Sequence, residues 1–353
     1  MNLNLLLLFI PVAWCLDWFE AEPAIIFVSS GLAIVPLAGL LGKATESISV
    51  FIGPTFGGLL AATMGNAPEL IISLFALKAG LHDVVKAAIT GSIIGNLLLG
   101  IGLAILLGGL GREKLEFNRT SSGMSSGLLM LACVGLIVPA IFHFTTQQET
   151  ELSTEIAVVL FVAYLLSLVF TLKTHKHLFL AEAAKPADGG LVKEVKDNLW
   201  GKKQAIGVLV AVSVGIAFMS ETLTGAIEPA AESLHFTPIF AGVIFLAFFG
   251  NASDMMNAVR FARKNQMELS MGIAVGASTQ LVLFVVPVLV FASYFIGSEP
   301  LYLLFVPFEI AAIVIAVLIN RSLMADGETH WMEGVMLLGV YLILAIGFFF
   351  IPV

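Results

Sequence analysis

The chain has 353 residues, 59% of them hydrophobic and only 12% charged, with a mean hydropathy of +1.01. Soluble domains carry about 25% charge, so this composition excludes a soluble domain with one anchor and indicates a polytopic membrane protein. The formal net charge of −8 says little, because acidic residues collect on short loops, and no nucleic-acid partner is expected; Cys15 and Cys133 fall in separate apolar segments and suggest no disulfide framework or metal site.

Apolar runs bounded by polar punctuation predict eleven membrane spans in an all-α fold. They lie at about 3–19, 24–42, 55–78, 83–109, 122–143, 153–173, 204–226, 236–262, 268–296, 300–320 and 331–352. The first run lacks a basic leader, so it reads as a retained helix. Between Lys173 and Lys203 lies the longest polar stretch, whose Pro186 and Gly189-Gly190 mark a linker. The expected organisation is an N-terminal helix over 1–20, a five-helix unit over 21–173, a linker over 174–203 and a second five-helix unit over 204–353. With eleven spans, fifteen of the seventeen lysines and arginines fall on the side of the N-terminus, leaving Lys78 and Lys86 on the other. By the positive-inside rule this puts the N-terminus in the cytoplasm and the C-terminus outside.

Inside the third span, Gly65-Asn66-Ala67-Pro68-Glu69 places a carboxylate and a helix-breaking proline in an apolar run. Both are costly in hydrocarbon unless they serve a purpose. The same pattern returns 185 positions later as Gly250-Asn251-Ala252-Ser253-Asp254, matching acid to acid. Thr90 to Asn96 aligns with Val275 to Leu281 at the same offset. A looser echo pairs Glu46 in "ATES" with Glu221 in "MSET". Five spans per copy is an odd number, so the second copy enters the membrane inverted. Inverted repeats with broken helices near the midplane are the build of secondary transporters.

At these residues the sequence resembles the cation/proton exchanger family, typified by calcium/proton antiporters, within the cation/calcium exchanger superfamily. "GNAPELIISLFALKAG" followed by "GSIIGNLLLGIG" is similar to its first signature repeat, "GNASDMMNAVRFARKNQMELSMGIAVGAS" to its second, and the segment from Asp326 to Pro352 to its last helix. The resemblance spans nearly the whole chain and implies alternating-access exchange of a divalent cation for protons. Two departures stand out. Asp254-Met255 occupies a place where the family has Glu-His, and Pro68 before Glu69 is more like the sodium/calcium branch, although that branch carries Thr-Ser where this chain has Asn-Ala. The coupling ion therefore stays open between protons and sodium.

The residue chemistry fits such a cargo. Calcium takes about 6–8 oxygens from carboxylates, amides, carbonyls and waters. Glu69 and Asp254 neutralise two charges. Asn66 and Asn251 lie three residues earlier on the same helical face, and Pro68 with the Gly-Asn pairs is expected to unwind both copies and free carbonyls. Ser92 and Asn96 are four apart on the next span. In the second copy Ala277 and Leu281 replace them, with Ser278 and Gln280 as the expected substitutes. Where the cation leaves, the acids need another way to cancel their charge, which makes protons competitors for the same oxygens. Glu69, Asp254, Glu46 and Glu221 are the candidates for proton coupling or gating.

Bland readings stand beside these. Glu46 and Glu221 lie nearer helix ends and suit an interfacial role. Glu309 has no repeat partner and suits a bond to a neighbour. The asparagines and Ser92 suit close helix packing, and His175 and His177 suit a solvated linker. An intramembrane carboxylate enzyme or a passive channel is the competing class, but no DDxxD, HExxH or GxGD-type motif occurs. The expected protein is a transporter rather than an enzyme. It needs no cofactor, carries Ca2+ or a similar divalent cation and H+, and sits in the bilayer of a prokaryotic plasma membrane.

Overall fold

A computed structural model describes residues 3–143, 149–174, 199–297 and 299–351. Most of the predicted linker, with His175 and His177, lies outside the described residues. After a 3₁₀ stretch at Leu3–Leu8, helix α1 (Phe9–Trp18) leads to the long α2 (Pro23–Ile52). Helices α3 (Pro54–Met64) and α4 (Ala67–Lys78) form a pair bent by 45°. Helix α5 (His82–Ile94) widens into a π-turn at Gly95–Gly100 and continues as α6 (Ile101–Gly109). A two-residue strand β1 (Leu115–Glu116) precedes α7 (Arg119–His143) and α8 (Glu149–Val169).

The second half opens with α9 (Lys202–Leu234) and the short α10 (Pro238–Phe240), then a π-turn at Ala241–Leu246 that runs into α11 (Ala247–Arg263). Helix α12 (Met267–Gln280) passes through a π-turn at Leu281–Val285 into α13 (Val286–Ser293). Helix α14 (Pro307–Leu323), strand β2 (Glu328–Thr329) and α15 (Trp331–Phe349) complete the chain. Among the described residues eight helices are long and apolar enough to cross a membrane, or nine with α3 and α4 as one broken span. The two other predicted spans are shorter, Leu5–Trp18 and the 17-residue α14.

The offset seen in the sequence reappears in the elements. Helices α4 and α11 end at Lys78 and Arg263, while α5 and α12 start at His82 and Met267, each pair 185 apart. The matched helices end against different partners. Lys78 forms an ion pair with Glu221 of α9 at 3.2 Å, whereas the Arg263 carbonyl accepts a 2.9 Å bond from Arg112, near the antiparallel β1–β2 ladder. Other contacts join further loops. Thr154 meets Tyr294 at 2.6 Å, the Leu303 amide donates to Ser153 at 3.0 Å, and Lys43 lies 4.7 Å over the Trp200 ring. Each joins segments that an eleven-span count puts on one side.

Four boundaries differ most from the predicted ones, the first being α9, which runs to Leu234 rather than stopping near 226. Helix α2 runs to Ile52 rather than stopping near 42, so Lys43 and Glu46 are helical. Its polar end is affordable because Ser47 and Ser49 bond back to the carbonyls of Lys43 and Thr45, each at 2.8 Å. Gly53, at φ +84°, and Pro54 then stop it. The predicted span 55–78 is broken at Gly65-Asn66. The span predicted from 300 becomes helical only at Pro307.

Two apolar clusters hold the bundle. One joins α2 to α9 through Ile34, Leu37 and Leu41 against Val212, Ile216 and Met219. The other surrounds α5, α6, α12 and α13. Helix α5 lies so close to the π-turn at Ala241–Leu246 that a Cβ on Gly91 would sit 2.0 Å from the Val243 carbonyl oxygen. Only glycine permits that approach, which brings the two signature repeats into contact.

Candidate cation site

The site is built where α4, α5, α11 and α12 converge. Asn66 is the N-cap of α4, so Pro68 falls in the first turn, where its missing amide costs nothing. The same turn carries Glu69, at the helix end whose exposed amides favour negative charge. This resolves the oddity of a proline and a carboxylate in an apolar run: together they end one half-helix and start another with an acid at its tip.

Glu69 is 5% exposed, and its Oε2 has no hydrogen-bond partner. Gly250 of α11 packs against it, since a Cβ there would lie 3.1 Å from Glu69 Cγ and 3.6 Å from Oε1. Glu69, Ser73 and Ser92 are the polar lining of a cavity about one water in size, closed by Ile72, Ile89 and Leu246 among other apolar side chains. Asp254 is half-buried one turn beyond Gly250 on α11.

Asn251 is the hub. Its carboxamide oxygen accepts from Asn96 at 2.8 Å, and its nitrogen donates to Ser92 Oγ and to the Ala247 carbonyl, both at 2.8 Å. The Asn96 Oδ1 is buried without a partner. Asn66 donates to Gln280 Oε1 at 3.2 Å, which ties α4 to α12. Ser278 turns its hydroxyl onto its own helix, donating to Ala274 at 3.0 Å.

One expectation is corrected. The second copy is not unwound at Gly250-Asn251, because α11 runs through them without a break. Ser253 stands where the first copy has Pro68, so its amide stays available for the helical ladder. The irregularity moves upstream to the π-turn at Ala241–Leu246. Glu46 is exposed near the end of α2, and Glu221 is held by Lys78, so neither lines the cavity of Glu69. A larger cleft of about 350 Å³ includes Asp17 and Glu221 and shares no residue with that cavity. Glu309 accepts from the Val306 amide at 2.9 Å and so caps α14.

Sequence reasoning missed Ser73, whose spacing of four from Glu69 was the available signal, and Asn320, discussed below. Among the described residues no three His, Cys, Asp or Glu side chains cluster as a metal site. Two carboxylates with amide and hydroxyl oxygens around them form a hard, all-oxygen set. That set suits a calcium-like ion and lacks the imidazole and thiolate ligands that a zinc site draws on.

The sodium/calcium exchanger protein family matches residues 22–173 and 204–350, leaving out the linker between them. A relative named Ca(2+)/H(+) antiporter from Synechocystis sp. is 44% identical, over 98% of this chain and 96% of its own. Another Ca(2+)/H(+) antiporter, from Bacillus subtilis, is 40% identical over 92% of both. The solved structure of native YfkE superposes with a TM-score of 0.84 at 36% identity, covering 99% of this chain and all of that one.

Proposed function

This chain belongs to the sodium/calcium exchanger protein family, and from that premise we propose that it exchanges Ca2+ for protons across a prokaryotic plasma membrane. The observation that carries the reading is the buried Glu69 carboxylate with an unpartnered oxygen, set against Gly250 of α11, the helix that also carries Asp254. A carboxylate so placed needs a cation or a proton.

In this reading Glu69 and Asp254 bind Ca2+ as the charged ligands. Asn66, Asn251, Ser92, Asn96, Ser278 and Gln280 supply neutral oxygens or fix the oxygens that do, and water completes the shell. Proton arrival at the two acids expels the ion, and each loaded form permits the swing between inward-open and outward-open states. Glu46 and Glu221, at opposite ends of the bundle, control access rather than bind. The N-terminus is cytoplasmic, as the charge asymmetry of the loops indicates. A cysteine at Gly189 should then be hidden from an impermeant thiol reagent on intact cells, and one after Val353 should react.

Calcium-45 uptake into everted vesicles tests the exchange. A proton gradient should drive it without sodium. Uptake that needs sodium, and ignores the proton gradient, would replace this reading with a sodium-driven exchanger.

A further inference from the structure

The π-turn at Gly95–Gly100 carries Asn96, whose side chain holds the hub residue Asn251. Such turns replace the regular helical ladder with wider i→i+5 bonds, are rare, and recur at functional sites. This one is bonded from outside its own helix. Asn320, on α14, is 1% exposed, and its Nδ2 donates to the carbonyl of Leu97, inside the π-turn, at 2.7 Å. Its Oδ1 is buried without a partner.

The placement is specific. Along α14 the buried positions Glu309, Ala312, Ile313, Ala316, Val317 and Asn320 form one stripe toward the core, polar only at its two ends. A leucine would continue the stripe, so the carboxamide is a costly choice. On the other side of the turn, Met255 packs at the concavity left by Gly95 and Gly100: a Cβ on either glycine would lie 3.1 Å from Met255 Cε or 3.3 Å from its Cγ. The turn is therefore gripped from two sides, by an apolar side chain from α11 and by one hydrogen bond from α14.

We propose that Asn320 is a positioning residue for the cation site: its hydrogen bond to Leu97 sets the π-turn that aims Asn96 at Asn251. The inference rests on the reading of Glu69 and its neighbours as the Ca2+ site. Residue 320 touches neither acid, so its effect reaches the ion through the chain Asn320, Leu97, Asn96, Asn251 and Ser92.

The test compares Asn320→Leu, which keeps the bulk and removes the donor, with Asn320→Ser, which keeps a shorter donor. Ca2+ KM and Vmax are measured in proteoliposomes at a fixed proton gradient. Asn320→Leu should raise the KM about ten-fold, as loss of an outer-shell partner does for metal sites, with Vmax within about two-fold of the parent because both acids are intact. Asn320→Ser should recover most of the affinity. An unchanged KM in Asn320→Leu, or a fall in Vmax alone, overturns the proposal. Should that variant fail to fold, Asn320→Ala, which adds no bulk, must show the same rise in KM. If neither variant can be recovered folded, Asn320 is a structural clasp and the proposal is wrong. A parent protein that transports no Ca2+ would instead overturn the functional reading on which the inference rests.

Discussion

Replacing Asn251 with alanine removes a side chain that three partners share. Two of its bonds cross between helices, to Asn96 and to Ser92, each 2.8 Å long. The third, to the Ala247 carbonyl, stays within α11, where that carbonyl keeps its place in the helical ladder. Only the interhelical pair should weigh heavily. A net hydrogen bond contributes about 0.5–1.5 kcal/mol in folded proteins, and interhelical bonds in membranes average nearer ~0.6 kcal/mol. Two of them give a loss of about 1–3 kcal/mol, with the upper end set by Asn96, which is buried and would lose the acceptor of its Nδ2. The perturbation should also reach the ion. With Asn96 and Ser92 released, the neutral part of the coordination shell is no longer fixed, and Ca2+ KM should rise about ten-fold. Thermal unfolding of the purified variant, followed with and without Ca2+, and uptake kinetics in proteoliposomes measure both effects. A folded Asn251→Ala protein whose KM stays within about two-fold of the parent would refute the claim that this amide organises the site.

Three further outcomes are expected. Glu69→Gln or Asp254→Asn keeps the shape and removes one of the two charges, so Ca2+ exchange should be lost, and retained exchange in either would sink the two-carboxylate site. Gly91→Ala should yield no stable protein, because its Cβ would meet the Val243 carbonyl at 2.0 Å, whereas Gly276→Ala, 185 positions on and with open space around it, should fold like the parent in a size-exclusion assay. At the β1–β2 ladder, the hydrogen bond and charge of Lys114, 2.7 Å away, hold Glu116 below its ordinary value of 4.5. The contribution of this pair is therefore complete above that value and is lost as pH falls through the lowered one. Protection factors of the Glu116 and Phe117 amides should hold at pH 5 and fall once pH drops below 4.5, with Lys114→Ala moving the change upward. A transition left in place by that substitution would contradict the assignment.

The sequence made the acids and the repeat easy to see, because charge and proline are rare in apolar runs and Gly65–Glu69 and Thr90–Asn96 both recur at an offset of 185. Helix ends were less legible. The stretch from Lys43 to Ile52 reads as a loop by hydropathy, yet serine hydroxyls satisfy its polar groups from within the helix. The π-turns at Gly95, Ala241 and Leu281 left no mark, since patterns of apolar residues do not report which carbonyl an amide bonds. Asn320 stands at the polar end of an apolar run, where nothing singles it out. Its role depends on a helix more than two hundred positions away, and nothing local encodes that. The two copies also diverge where composition looked alike. A single residue, Pro68 against Ser253, decides that one Gly-Asn-Ala breaks its helix and the other does not.

The central claim is that one pair of carboxylates holds either the cation or protons. Adding Ca2+ to the purified protein in weakly buffered detergent solution, and following pH, tests it without a membrane gradient. Binding should release about one to two protons per Ca2+, as expected where a metal displaces protons from its ligands, and the release should vanish in the Glu69→Gln, Asp254→Asn double variant. Saturable Ca2+ binding with no proton release, or a release that survives in the double variant, would contradict it.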